Sequence, residues 1–189
     1  VTATAVSYFL MGDAVMFPLQ SESFVLDRIP YYVLLGVVCG FVSLYFTRGM
    51  NWMEGIFRKL EKPWKKWLLG GAILSLLIFL LPPLYGEGYD SINSLLNLNH
   101  AHLLENSLFY EYRYNTYFVI AYLLLIVLLK IFASAATNGA GGTGGLFAPS
   151  LFVGAITGYV LVLLFQVVGI QLPAQNFALA GMAGLMSGI

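Results

Sequence analysis

The feature that most constrains this chain is a long charge-poor stretch. After Glu111 there is no Asp or Glu, and Arg113 and Lys130 alone carry full charge. A water-exposed surface is hard to build over that length. A bilayer core about 30 Å thick takes roughly 20 apolar residues of helix, each rising about 1.5 Å. Residues 117–136 and 150–170 meet that length. So does 67–84, which ends on Pro82 and Pro83, while 31–46 can extend on an amphipathic face to about residue 60. Residues 1–10 read as the tail of a span, and 177–189 as the start of another. Composition agrees: 59% of residues are apolar and 10% are charged, against about 25% charged in ordinary soluble domains. The expectation is an all-α, polytopic membrane helical bundle. Residues 1–189 form one transmembrane domain, and we read it as a fragment truncated at both ends.

Net charge is zero, so nothing points to nucleic acid. The sign of each connection is more telling. Residues 48–66 carry six cations against two acids, Glu54 and Glu61. Residues 12–30 and 85–115 are acidic on balance. The positive-inside rule makes the basic connection cytoplasmic and the acidic ones external. Trp52, Trp64 and Trp67 flank the basic one as interface anchors, and Tyr110, Tyr112, Tyr114 and Tyr117 read as an aromatic belt. Residues 88–115 interleave apolar and polar positions, which fits a short re-entrant or interfacial helix. Cys39, the single cysteine, lies in an apolar run and reads as packing. Three glycine pairs at four-residue spacing, Gly36 with Gly40, Gly154 with Gly158 and Gly184 with Gly188, let helices approach closely. Packing within one subunit is the favoured use.

The segment that carries chemistry is 138–159, reading NGAGGTGGLFAPSLFVGAITGY. Glycine this dense cannot continue a helix cheaply, so the preceding helix breaks near Ala136. A broken helix at membrane depth is tolerated only where it lines a cavity or packs on protein. Pro149 suits the first turn of a new helix, placing its start at about Ala148 and Pro149. The first amides, with those of Leu146 and Phe147, then lack partners. The helix dipole adds positive charge there, and together these make an anion site without formal charge. Proline has no N–H, so donors lie before Pro149 or after it at Ser150. Residues 138–149 thus read as a glycine-rich anion-filter loop between two helices. Gly139, Gly141 and Gly144 match G-x-G-x-x-G, but no strand precedes them and no acid follows, so a dinucleotide site is rejected.

Gly145, Leu146, Phe147, Ala148 and Pro149 resemble the G-x-F-x-P selectivity-filter motif of the CLC chloride channels and chloride/proton antiporters. Gly86, Gly88, Tyr89 and Ile92 resemble that family's G-x-G-Y-x-x-I segment. Lys130 stands where many members carry a basic residue ahead of the filter, and 177–182 is similar to the start of the next helix. The resemblance implies part of an inverted-repeat channel or transporter fold, spanning the end of the first repeat to the middle of the second. It implies chloride as the transported ligand, bound by the amides of Leu146 and Phe147, and a homodimer with one pore per subunit in membrane lipid. The family's first filter motif and gating-glutamate motif are not in these residues, so channel and antiporter stay open.

Other candidates are weaker. Lys130 has two readings, a positive field near the anion path or a side chain snorkelling to an interface. His100 and His102 lack further ligands for a metal. Glu87 and Asp90 read as solvated in an external turn. No cofactor is called for. Two other function classes remain, an intramembrane enzyme and a structural subunit that transports nothing. An enzyme needs a nucleophile or metal ligand at membrane depth, and the spans offer Lys130 alone.

Overall fold

The computed structural model describes residues 9, 25–97, 103, 104, 107 and 109–189. All of the expected span at 1–10 but residue 9, most of the acidic connection at 12–30 and both histidines, His100 and His102, lie outside the described residues. Among the described residues six α-helices follow one another: α1 Ile29–Arg58, α2 Pro63–Leu80, α3 Tyr89–Leu96, α4 Thr116–Gly139, α5 Phe147–Val167 and α6 Ala174–Met186. Short 3₁₀ turns sit at Leu26–Arg28, Pro82–Leu84 and Tyr110–Tyr112. Among the described residues there is no strand. Helices α1, α2, α4 and α5 are long and apolar enough to cross a membrane, and the chain is a multi-pass integral membrane protein.

Local chemistry sets most boundaries. Pro63 opens α2, earlier than the apolar run alone indicated, because proline is suited to the first helical turn. Asn115 caps α4, its Oδ1 accepting from the amides of Tyr117 at 3.1 Å and Phe118 at 3.3 Å. Both α4 and α5 end in the same way. Gly141 and Gly169 take φ of +93° and +91°, and the next residues, Gly142 and Ile170, donate back to Thr137 and Phe165. That pattern satisfies the last helical carbonyls and favours glycine. Helix α1, at 30 residues, runs about 45 Å and is longer than the hydrocarbon core.

The core is built around α5. Helix α6, at 13 residues, is shorter than a span and lies against it. A Cβ on Gly154 would sit 2.5 Å from the Gly181 carbonyl oxygen, and one on Gly158 would strike the Phe177 backbone. Gly184 and Gly188 meet Cys39 and Ser43 of α1. Two of the three glycine pairs therefore serve packing inside this chain. Gly36 and Gly40 have nothing within 4 Å. Cys39 is buried, as its setting indicated.

Helix α3 is the short helix expected in 88–115. Ile92, Leu95 and Leu96 are fully buried in the core cluster. The Gln175 amide at the head of α6 donates to the Leu96 carbonyl. Gly88, at φ +90°, starts α3 where a Cβ would lie 2.5 Å from the Phe152 ring.

Candidate functional site

The site begins where α4 stops. After Gly141 the chain folds back on the last turn of α4. A Cβ on Gly142 would come 2.9 Å from the Thr137 carbonyl oxygen, and one on Gly144 would lie 2.5 Å from Asn138 Oδ1. Helix α5 then starts at Phe147 with Leu146 as its N-cap, and no side chain caps it. The start is one to two residues earlier than Pro149 suggested, which leaves Pro149 in the first turn. The first helical bond runs from the Ser150 amide to the Leu146 carbonyl, at 3.0 Å. This corrects one expectation: the Ser150 amide is engaged in the helix and is not a free donor. The amides of Gly145, Leu146, Phe147 and Ala148 have no backbone acceptor among the described residues. The first turn of α5 carries no acid, so nothing there offsets the positive end of the dipole.

A cavity of about 490 Å³ opens beside this turn. Gly145, Phe147, Ala148 and Pro149 line it; Leu146 does not. The facing walls come from Leu74 and Ile78 of α2, from the 84–89 connection, and from Lys130, Ser134 and Thr137 of α4. Among the described residues, Lys130 and Glu87 are its only formally charged lining.

Lys130 is 2% exposed. Its Nζ donates to the carbonyls of Leu84 at 3.1 Å and Gly86 at 2.8 Å, and lies 4.8 Å from the centre of the Phe152 ring. The snorkelling reading is therefore corrected. The ammonium stays inside because two carbonyls and a ring face solvate it there. It also ties the 84–86 turn to α4. Glu87 is exposed, as expected, yet it belongs to the cavity wall, which the sequence reading missed. The signal was present in its flanking glycines, both with positive φ, +64° at Gly86 and +90° at Gly88. Ser134, Thr137 and Thr143 were also missed as lining residues, since nothing in their local pattern distinguishes them. Among the described residues, no three His, Cys, Asp or Glu side chains gather as metal ligands.

The chain is similar to several known proteins. It is 34% identical over 134 residues to the voltage-gated ClC-type chloride channel ClcB of Salmonella typhimurium, covering 68% of this chain and 27% of that relative. It is 27% identical over 182 residues to the H(+)/Cl(−) exchange transporter ClcA of Vibrio cholerae, covering 93% of this chain and 35% of that protein. Over an alignment of 207 positions it is 28% identical to chloride channel protein CLC-e of Arabidopsis thaliana, covering 100% of this chain and 27% of the plant protein. The chain thus spans about a third of the length of the curated relatives it matches. The profile of the family described as voltage gated chloride channel matches residues 1–189. The chain belongs to the voltage gated chloride channel family.

Proposed function

We propose that this chain supplies one half of the anion site of a chloride-conducting membrane protein, working as a voltage-gated-type channel or as a chloride/proton exchanger. The donors are the main-chain amides of Leu146 and Phe147, with Ala148 within the same turn. The filter is the 140–146 connection together with the first turn of α5, since the structure carries α4 to Gly139 and starts the next helix at Phe147, inside the 138–149 bounds expected of the loop. One observation carries the reading: the unpaired amides of Phe147 and Ala148, at the uncapped start of a 21-residue helix, stand at a cavity whose formal charges, one Lys and one Glu, sum to zero, and the Leu146 amide immediately precedes them. Relatives named as chloride channels and as a chloride/proton exchanger support chloride as the ligand. Dipoles suit transport, because a conducting site binds well enough to enter and weakly enough to leave.

The test is an amide-to-ester replacement at Phe147 in the full-length protein. It removes one donor and keeps the side chain. A hydrogen bond to a charged group is worth roughly 1.5–3 kcal/mol, so chloride affinity by calorimetry drops by about one to two decades. Leu146→Val leaves affinity nearly unchanged. Unchanged affinity in the ester, with loss in Lys130→Met, moves the site from the backbone to a side chain.

A further inference from the structure

We propose that the corner joining α1 to α2 binds the headgroup of an anionic phospholipid, whose acyl chains lie along the exposed face of α2. Arg58, Lys59, Lys62, Lys65 and Lys66 fall within this corner, against Glu61 alone. Arg58 is already paired with Glu54 at 3.3 Å. Lys62 is the N-cap of α2, and the amides of Lys65 and Lys66 donate to its carbonyl at 3.1 and 3.4 Å. Lys62, Lys65 and Lys66 are therefore gathered within the first turn at the start of α2, where like charges repel. Among the described residues none of the three has an acidic partner. A bound phosphate group relieves that repulsion.

The apolar half of the ligand is specified by the same helix. Trp64 and Trp67 stand beside the lysines, 58% and 72% exposed, at the headgroup level that tryptophan prefers. Below them Leu68, Ala72, Leu76 and Phe79 recur at spacings of three and four, and all are exposed. Cations above an apolar stripe match an amphiphile, where a soluble phosphate would need only the cations. Juxtamembrane lysine clusters recognise anionic lipid in this way.

The corner is an ordered surface that bears on the filter loop. Phe57, one residue before Arg58, is buried against Gly139, where a Cβ would collide with its ring. A Cβ on Gly70 of α2 would lie 2.5 Å from the Ala140 Cβ. Gly139 is the last residue of α4 before the filter loop.

The experiment uses the full-length protein in nanodiscs and native mass spectrometry with dioleoyl phosphatidylglycerol, against phosphatidylcholine. Wild type retains phosphatidylglycerol preferentially. The triple variant K62Q/K65Q/K66Q loses about a hundredfold in that affinity, since each near-surface cation contributes roughly fivefold. The charge-preserving K62R/K65R/K66R variant retains binding, which separates charge from misfolding. Equal retention by wild type and the glutamine variant overturns the proposal, as does displacement of the lipid by millimolar inorganic phosphate. So does protection of Trp64 and Trp67 from quenching by a brominated detergent in lipid-free micelles, which would assign this face to another segment of the protein.

Discussion

Helix α5 and the loop that precedes it are both rich in glycine, and they use it in opposite ways. In α5, Gly154 and Gly158 keep helical geometry and contribute by lacking a Cβ, so that the α6 backbone can come into contact. In the loop, Gly141 leaves helical geometry altogether at φ +93°, and Gly142 and Gly144 fold back over Thr137 and Asn138. The first use buries backbone, since 13 residues of α5 are buried. The second leaves backbone unpaired, with no backbone acceptor for the amides of Leu146 and Phe147 among the described residues. In lipid, where every backbone polar group needs a partner, the packed half supplies the framework beside which the open half leaves amides unpaired.

The largest expected effect comes from removing that framework. Gly158→Leu places a side chain into the Phe177 backbone, which cannot rotate away as a flexible side chain would. The loss exceeds about 4 kcal/mol, the range in which a single change abolishes a fold. Size-exclusion chromatography of the full-length protein should show aggregate or no yield. A monodisperse peak at wild-type yield would mean that α6 does not dock on α5 this closely, and the contrast between the two glycine-rich regions would fail.

Lys130→Met asks how far the open half depends on the packed one. The substitution removes two charge-assisted bonds to Leu84 and Gly86. It also relieves the cost of burying an ammonium. The Leu84 carbonyl, on a buried residue, is left without its donor, at roughly 1–3 kcal/mol. Thermal unfolding of the full-length protein should fall accordingly. An unchanged midpoint would show that the 84–86 turn holds its place without the lysine.

The two halves were also unequally legible in the sequence. The four spans α1, α2, α4 and α5 and the helix break follow from hydropathy and glycine density, which are local properties, and lie within a few residues of their expected places; the start of a further span expected at 177–189 is instead the 13-residue α6. Cap chemistry explains the shifts, as at Pro63 and Phe147. The partners of Lys130 were not legible, because Leu84 lies 46 residues away in the chain. Phe57 beneath Gly139 is hidden for the same reason. The free amides were read correctly except at Ser150, where an earlier helix start engages the donor. Burial of α3 was partly visible in the spacing of Ile92, Leu95 and Leu96, while its attachment to Gln175 was not.

The smallest effect has the opposite sign. Gly36 lies inside α1 with nothing within 4 Å of the place a Cβ would take, unlike Gly154 at the same four-residue spacing. Glycine in a helix interior is disfavoured relative to alanine by about 1 kcal/mol. Gly36→Ala should therefore stabilise the full-length protein by about that amount or less in chemical unfolding in mixed micelles. Gly154→Ala should destabilise it, because its Cβ meets the Gly181 carbonyl oxygen. The sign at Gly36 also bears on assembly. Small residues four apart let two helices approach closely in lipid, and the resemblance to CLC proteins implies a homodimer. A gain in stability leaves this stripe facing lipid. A loss would place a second backbone against Gly36 and Gly40, from a second copy or from another segment of the same subunit, and crosslinking at position 37 would tell the two apart by the mass of the product.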